Sequence, residues 1–229
     1  MQLFYFPTPN GKKVSIACEE MGLGYEIVPI DILKGEQHAP AFLAICPNGR
    51  IPALRDHAAD GTPIDVFESG AILQYLGRKS GRLYPADEPR RTRVDSWLMW
   101  QMAGLGPMAG QLSYFLRVSN IPDRAEADYA YPIHRYRREV RRLYAVMESR
   151  LASHDWLADD YSIADIACWT WVEQYRAQIE NFAEYPGVAR WHARITARPA
   201  VIAGCNVWHP VGDQGWSSRG NAAQIAGKP

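Results

Sequence analysis

At about residue 80 the apolar pattern of this chain changes period, and one packing arrangement cannot satisfy both halves. Before that point short apolar segments alternate with helical ones, at residues 3–6, 12–21, 25–30, 40–44, 53–56, 64–67 and 69–79. The order reads βαβαββα. Strands joined through helices pair in parallel, whereas the polar link at residues 57–63 suits a hairpin. The expectation for residues 1–80 is therefore a small mixed sheet with helices packed on it. Residues 81–89 include Gly81, Pro85, Asp87, Glu88 and Pro89, which end the last helix and form a linker. From residue 90 to residue 203 the periodicity is helical and no convincing strand appears.

Within this second domain, residues 92–116 hold Trp97, Trp100, Leu105 and Met108 and are interrupted by Gly104-Leu105-Gly106-Pro107, where a kink is expected. Residues 133–151 place Ile133, Tyr136, Val140, Leu143, Tyr144, Met147 and Leu151 on one stripe. The other face carries Arg135, Arg137, Arg138, Arg141 and Arg142, either as a solvated surface or to meet carboxylates of a ligand or partner subunit. Ser162-Ile163-Ala164-Asp165 has the form of a capping box before an apolar run. Residues 204–229 form an extension rich in Gly, Ser, Asn and Ala, for which disorder is the default, although Trp208, His209 and Trp216 suit packing of part of it.

Lys+Arg and Asp+Glu both number 25, so the formal charge is +0 and no global field draws the chain to nucleic acid or an anionic membrane. No apolar run approaches the roughly 20 residues that span a bilayer, and no signal-peptide pattern opens the chain, which is read as soluble, not exported and cytoplasmic. Cys18, Cys46, Cys168 and Cys205 form no C-x-x-C pair and no metal-ligand spacing, so neither a disulfide framework nor a metal site is expected. Cys46 lies in the loop Ile45-Cys46-Pro47-Asn48-Gly49, where a packed thiol and a redox role are both open.

The segment Phe6-Pro7-Thr8-Pro9-Asn10-Gly11 joins an apolar strand to a helix and sets a hydroxyl and an amide beside the helix N-terminus. Free backbone N–H groups and the positive end of the helix dipole make such a junction suited to an anion or thiolate, although the same residues also make ordinary turns. Arg50-Ile51-Pro52-Ala53 puts a proline at a strand entrance. That placement fits a trans proline or a cis Ile51–Pro52 bond that presents Ile51 to a peptide alongside. In Phe67-Glu68-Ser69-Gly70, Ser69 is a reasonable cap, and Glu68 with Ser69 also suits the ammonium and carboxylate of an amino-acid-like zwitterion. Gln37 offers an amide from a neighbouring loop.

Pro7-Thr8-Pro9-Asn10-Gly11, Ile51-Pro52-Ala53, Phe67-Glu68-Ser69-Gly70-Ala71-Ile72, Gly104-Leu105-Gly106-Pro107-Met108 and the Tyr161-to-Trp169 run together resemble the Nu-class glutathione transferases of bacteria, relatives of the yeast Ure2-type proteins. The likeness runs over residues 1–203. It implies an α/β plus all-α chain, with an N-terminal thioredoxin-like domain and a C-terminal helical glutathione transferase domain. It also implies glutathione as the cofactor and a homodimer with the site near the subunit interface. Carried over by motif, Thr8 and Asn10 face the glutathione sulfur and Ile51 pairs with the cysteinyl backbone. Glu68 and Ser69 hold the γ-glutamyl end, Gln37 and Arg50 approach the glycyl end, and Arg135 reaches a glutathione carboxylate. The implied activity is glutathione-dependent disulfide reduction, in which the attacking thiolate belongs to glutathione and no C-x-x-C is needed. Conjugation of an electrophile, cleavage of an aromatic ether and a non-catalytic glutathione-binding regulatory role are the alternatives. Other classes of the family use a Tyr, Ser or Cys near this first turn; here Tyr5 sits inside the strand with Phe4 and Phe6, and whether its hydroxyl faces the turn or points elsewhere is open.

Overall fold

A computed structural model of the chain describes residues 1–120, 127–176 and 182–208. Strand β1 (Gln2–Tyr5) buries Leu3, Phe4 and Tyr5 in succession because both faces of the sheet are covered. Strands β2 (Glu26–Pro29), β3 (Ala53–His57) and β4 (Pro63–Phe67) complete a sheet of order β2-β1-β3-β4. β1 and β2 are parallel, and β3 and β4 form the antiparallel hairpin expected across residues 57–63. The expectation that helix-linked strands pair in parallel fails at the next step, since β3 lies on the far side of β1 and runs antiparallel to it. The reason is length: the intervening helix α2 (Pro40–Leu43) has only 4 residues, about 6 Å of rise, too short to carry the chain back along a strand.

Helix α1 (Pro9–Met21) starts three residues earlier than periodicity alone gives, because Thr8 caps it and Pro9 occupies the first turn, where a missing N–H costs nothing. It ends at Gly22, whose left-handed φ of 68° lets the chain turn out of the helix. α3 (Ser69–Ser80) closes the N-terminal unit. In the helical unit, α4 (Glu88–Trp100) passes through a π-helical turn, Gln101–Leu105, into α5 (Gly106–Val118). The interruption expected at Gly104-Leu105-Gly106-Pro107 thus takes the form of an inserted π turn, with Pro107 in the first turn of the next helix. α6 (Ala127–Leu151) begins before Pro132 and carries it internally, so the helix is longer than the segment 133–151 read from its stripe. α7 (Ile163–Tyr175), α8 (Pro186–Thr196) and α9 (Pro199–Cys205) follow.

One apolar core runs through both units, from Leu3, Ile16 and Leu73 to Leu98, Leu143, Ile166 and Trp191. A smaller cluster of Phe4, Phe42, Ile45, Cys46 and Ala53 lies beyond the sheet. The capping box forms as read: Asp165 accepts the Ser162 N–H at 3.0 Å, and Ser162 Oγ accepts the Ala164 N–H at 3.3 Å. Asp165 also accepts the Leu157 N–H and the Trp191 indole N–H, at 3.0 and 2.8 Å, so the box ties α7 to α8. The start of the C-terminal extension packs, with Trp208 edge-on to Tyr5 at 6.5 Å and tilted against Phe6 at 6.2 Å. His209 and Trp216 lie outside the described residues. Among the described residues no helix is long and apolar enough to cross a membrane.

Candidate functional site

Strand register brings the three motifs to one end of the sheet. Phe4 pairs with Ala53 and Ala53 with Phe67, so the chain leaving β1, entering β3 and leaving β4 does so side by side. Thr8, Ile51 and Glu68 lie just beyond that row.

At the first of these places Thr8 has extended backbone, φ −87° and ψ 165°, and its Oγ1 accepts the Gly11 N–H at 3.2 Å. Among the described residues no acceptor is given for the hydroxyl hydrogen, which is available to donate to a ligand. Gly11 is required here by space: a Cβ would lie 2.2 Å from the Phe6 carbonyl oxygen, so any side chain would lift the first turn of α1 off β1. Asn10 is half-buried, and its Oδ1 accepts the Trp171 indole N–H at 3.0 Å. An indole N–H only donates, so the amide oxygen faces α7 and the amide NH2 is left for another acceptor. Tyr5 is fully buried beneath this junction, where burial pushes its phenol well above the usual range. It is not placed to present a hydroxyl at the junction.

The Ile51–Pro52 peptide is cis, one of the two arrangements its position allowed. Ile51 is half-buried, and among the described residues its N–H and C=O have no partner within the chain. Glu68 carries φ 70° and ψ 119°, a backbone that L residues seldom adopt, and its exposed carboxylate accepts the Asn48 amide at 3.4 Å. Ser69 is buried at the start of α3, where its Oγ accepts from Lys13 Nζ at 3.3 Å. Gln37, in the short turn Glu36–His38, packs against Gly49, where a Cβ would lie 3.4 Å from the Gln37 carbonyl oxygen, and among the described residues Gln37 Oε1 is buried with no hydrogen-bond partner. Arg50 extends to solvent, while its carbonyl accepts the Cys46 S–H at 3.2 Å. That bond and 1% exposure make Cys46 a packed thiol in this structure. Arg135 stands outside the row, exposed on α6, where its charge falls on Glu139 together with that of Arg138.

Two residues of this neighbourhood have no counterpart in the sequence reading. Trp171 orients Asn10 from α7, and Lys13 is a buried lysine linking Ser69 to the π turn through Gln101 Oε1 at 2.6 Å. The one local signal for Lys13 is its place among the apolar positions of α1, on the buried face it shares with Glu20 one heptad on. A cavity of about 440 Å³ lined by Arg78, Tyr84, Arg91 and Asp160 shares no residue with the row. Among the described residues no cluster of three or more His, Cys, Asp or Glu is placed to hold a metal ion.

Residues 1–78 match the glutathione S-transferase N-terminal domain, and residues 124–199 match the C-terminal domain of the same family. The chain is 44% identical over 204 residues to the disulfide-bond oxidoreductase YfcG of Escherichia coli, covering 88% of this chain and 92% of that one. A glutathione transferase from Burkholderia graminis, solved with two glutathione molecules per subunit, superposes with a TM-score of 0.81 at 43% identity over 90% of this chain and 87% of its own. Another from Pseudomonas putida, with one glutathione disulfide per subunit, gives 0.81 at 41% identity over 90% of each chain. The chain belongs to the glutathione S-transferase family.

Proposed function

We propose that this chain is a glutathione-dependent disulfide oxidoreductase of the Nu-class type, acting on small-molecule disulfides as a cytoplasmic homodimer. Its parts would be a glutathione-binding domain at residues 1–80, a linker at 81–89, a helical domain at 90–203 and an extension beyond. The observation that carries the reading is the pair of donors at the head of α1: Thr8 with its hydroxyl hydrogen uncommitted, and Asn10 with its oxygen already held by Trp171. No cysteine lies at that junction, so a nucleophilic sulfur has to come from a ligand.

Glutathione, when bound, supplies the thiol whose anion attacks a disulfide. The chain's part is to favour that anion and hold the peptide. Lowering a thiol pKa by about two units takes about 2.7 kcal/mol of preference for the charged form. A charge-assisted hydrogen bond of about 1.5–3 kcal/mol and a helix terminus of about 0.3–1 kcal/mol supply it. Further lowering would gain little, since nucleophilicity falls with pKa. Ile51 offers main-chain N–H and C=O groups to the cysteinyl unit, Glu68 accepts from the γ-glutamyl ammonium, and Ser69 donates to the neighbouring carboxylate. Gln37 and Arg50 serve the glycyl end, and Arg135 approaches a carboxylate from the helical domain. The fit is supported by the unpartnered Gln37 Oε1 and by the strained Glu68 backbone, since such strain concentrates at binding sites.

The test is glutathione-dependent reduction of 2-hydroxyethyl disulfide, with the glutathione disulfide formed coupled to glutathione reductase and NADPH oxidation. Turnover proportional to enzyme is expected. A rate no faster than the uncatalysed background would reject the reductase reading and direct attention to conjugation or ether cleavage.

A further inference from the structure

The reading above gives Lys13 no task, yet its ammonium is the most confined charge near the junction. The side chain is 1% exposed, and Nζ lies 2.6 Å from Gln101 Oε1, 3.3 Å from Ser69 Oγ and 3.4 Å from Met102 Sδ. Three donors thus meet three acceptors, none of them a carboxylate. Burial pushes this ammonium down to about 7, against the opposing influence of Cys168 on α7 and Glu68 just before α3. The Cys168 thiol is itself pushed well above its usual range by burial, so Glu68 is the one formal charge among these neighbours.

An ammonium has no lone pair, so Ser69 Oγ has to accept from it, and the single hydroxyl hydrogen of Ser69 is turned elsewhere. Among the described residues the acceptor given for that hydrogen is Met102 Sδ at 3.7 Å, a weak one. A neutral amine would reverse the arrangement, because its lone pair can take the Ser69 hydrogen and draw it inward. The charge on Lys13 therefore biases Ser69 towards donating to a ligand, because the ammonium withdraws the one competing acceptor that a neutral amine would offer.

We propose that Lys13 is a positioning residue that holds Ser69 as a hydrogen-bond donor towards the ligand's γ-glutamyl carboxylate, so that carboxylate binding and protonation of Lys13 are coupled. The proposal rests on the assignment of Ser69 to that carboxylate. Coupling is reciprocal: the carboxylate stabilises the ammonium as much as the ammonium favours the carboxylate. Binding therefore draws a proton onto the fraction of molecules in which Lys13 is neutral.

The experiment is titration calorimetry with S-methylglutathione, which has no thiol proton, in phosphate and in Tris, buffers of different ionisation enthalpy. The wild-type protein is expected to take up a fraction of a proton, and its Kd to rise about fivefold between about pH 6 and about pH 8. Lys13→Met is expected to abolish the uptake and flatten the pH dependence of Kd, which a purely structural role would leave in place. Gln101→Leu removes the nearest acceptor of the ammonium and should move the pH midpoint downwards, which gives a second test should Lys13→Met fold poorly. No proton uptake by the wild type, uptake that persists in Lys13→Met, or an unmoved midpoint in Gln101→Leu would each overturn the proposal. Ser69→Ala separates the two layers: if it binds as tightly as wild type, the assignment of Ser69 fails, whereas weakened binding with no proton linkage in the wild type condemns only the role of Lys13.

Discussion

The Thr8 hydroxyl works as an acceptor towards Gly11 and keeps its hydrogen for the space beyond the helix, so replacing it affects stability and chemistry separately. Thr8→Ala should cost about 1 kcal/mol of folding stability as a lost N-cap. It should lower kcat for disulfide reduction by about tenfold or more, since a charge-assisted bond is worth about 1.5–3 kcal/mol. Thr8→Ser should keep most of both, and an alanine variant that is folded and fully active would remove Thr8 from the mechanism. Trp171→Phe keeps an aromatic ring on α7 but drops the N–H that holds Asn10 Oδ1, so it should reduce kcat severalfold. In an Asn10→Ala background the same change should do nothing further, and a double-mutant cycle measures the difference. The places of Thr8, Asn10, Glu68 and Ser69 at the starts of α1 and α3 were legible because each belongs to a short motif at an element boundary. Trp171 and Lys13 were not, because their meaning lies in partners 161 and 88 residues away, where no local spacing reports them.

Elements were legible where one periodicity prevailed, and went astray where geometry between elements decided. The sequence marks the four strands of the described sheet and the hairpin, but parallel pairing through α2 failed because a helix of 4 residues cannot return the chain. The π turn was readable only as an interruption, since Gly and Pro announce a break without fixing its type. At the start of α7, the Ser162 hydroxyl donates to Asp165 at 3.1 Å as well as capping, and Asp165 holds Leu157 and Trp191. Ser162→Ala is therefore expected at the upper part of the usual range, about 1–2 kcal/mol, read by chemical denaturation. Between β3 and α3, burial would raise Asp56, but bonds from Lys79 and Tyr75, both at 2.6 Å, and the His57 N–H at 2.8 Å outweigh it and hold the carboxyl down at about 2. Because the folded value lies below the unfolded one, the stability is fully present above the unfolded pKa of about 4 and is lost as pH falls through the folded value. Asp56→Asn should lose about 1–2 kcal/mol at neutral pH, and the gap in Tm from wild type should narrow as the solution is acidified towards the folded pKa. A gap independent of pH would mean that packing, not charge, accounts for the loss.

Across the whole molecule α1 is the shared element: its start forms the junction, and its body is clasped by both units. Glu20 accepts two bonds from Arg198, at 2.5 and 2.8 Å, and a third from Tyr161 at 3.1 Å. Ser15 donates to the Gly204 carbonyl at 2.7 Å, and a Cβ on Gly204 would lie 2.5 Å from Ile16 Cα. That close approach is between two backbones, which no change of rotamer relieves. Gly204→Ala must therefore move α9 away from α1, stretching the Ser15 bond and disturbing the seat of Trp208 on Tyr5 and Phe6 at the end of β1. A cost of about 1–3 kcal/mol is expected, with Tm falling about 2–4 °C for each kcal/mol in a chain of this size. Because one core spans both units, thermal unfolding followed by tryptophan fluorescence and by far-UV circular dichroism should remain a single coincident transition in wild type and variant alike. Activity should fall with the displacement of α1 even well below Tm, since Thr8 and Asn10 head that helix and a bound sulfur would feel its shift directly. Two separated transitions would show that the clasp does not couple the units. Lowered stability with unchanged turnover would show that the head of α1 is held by β1 and α3 alone.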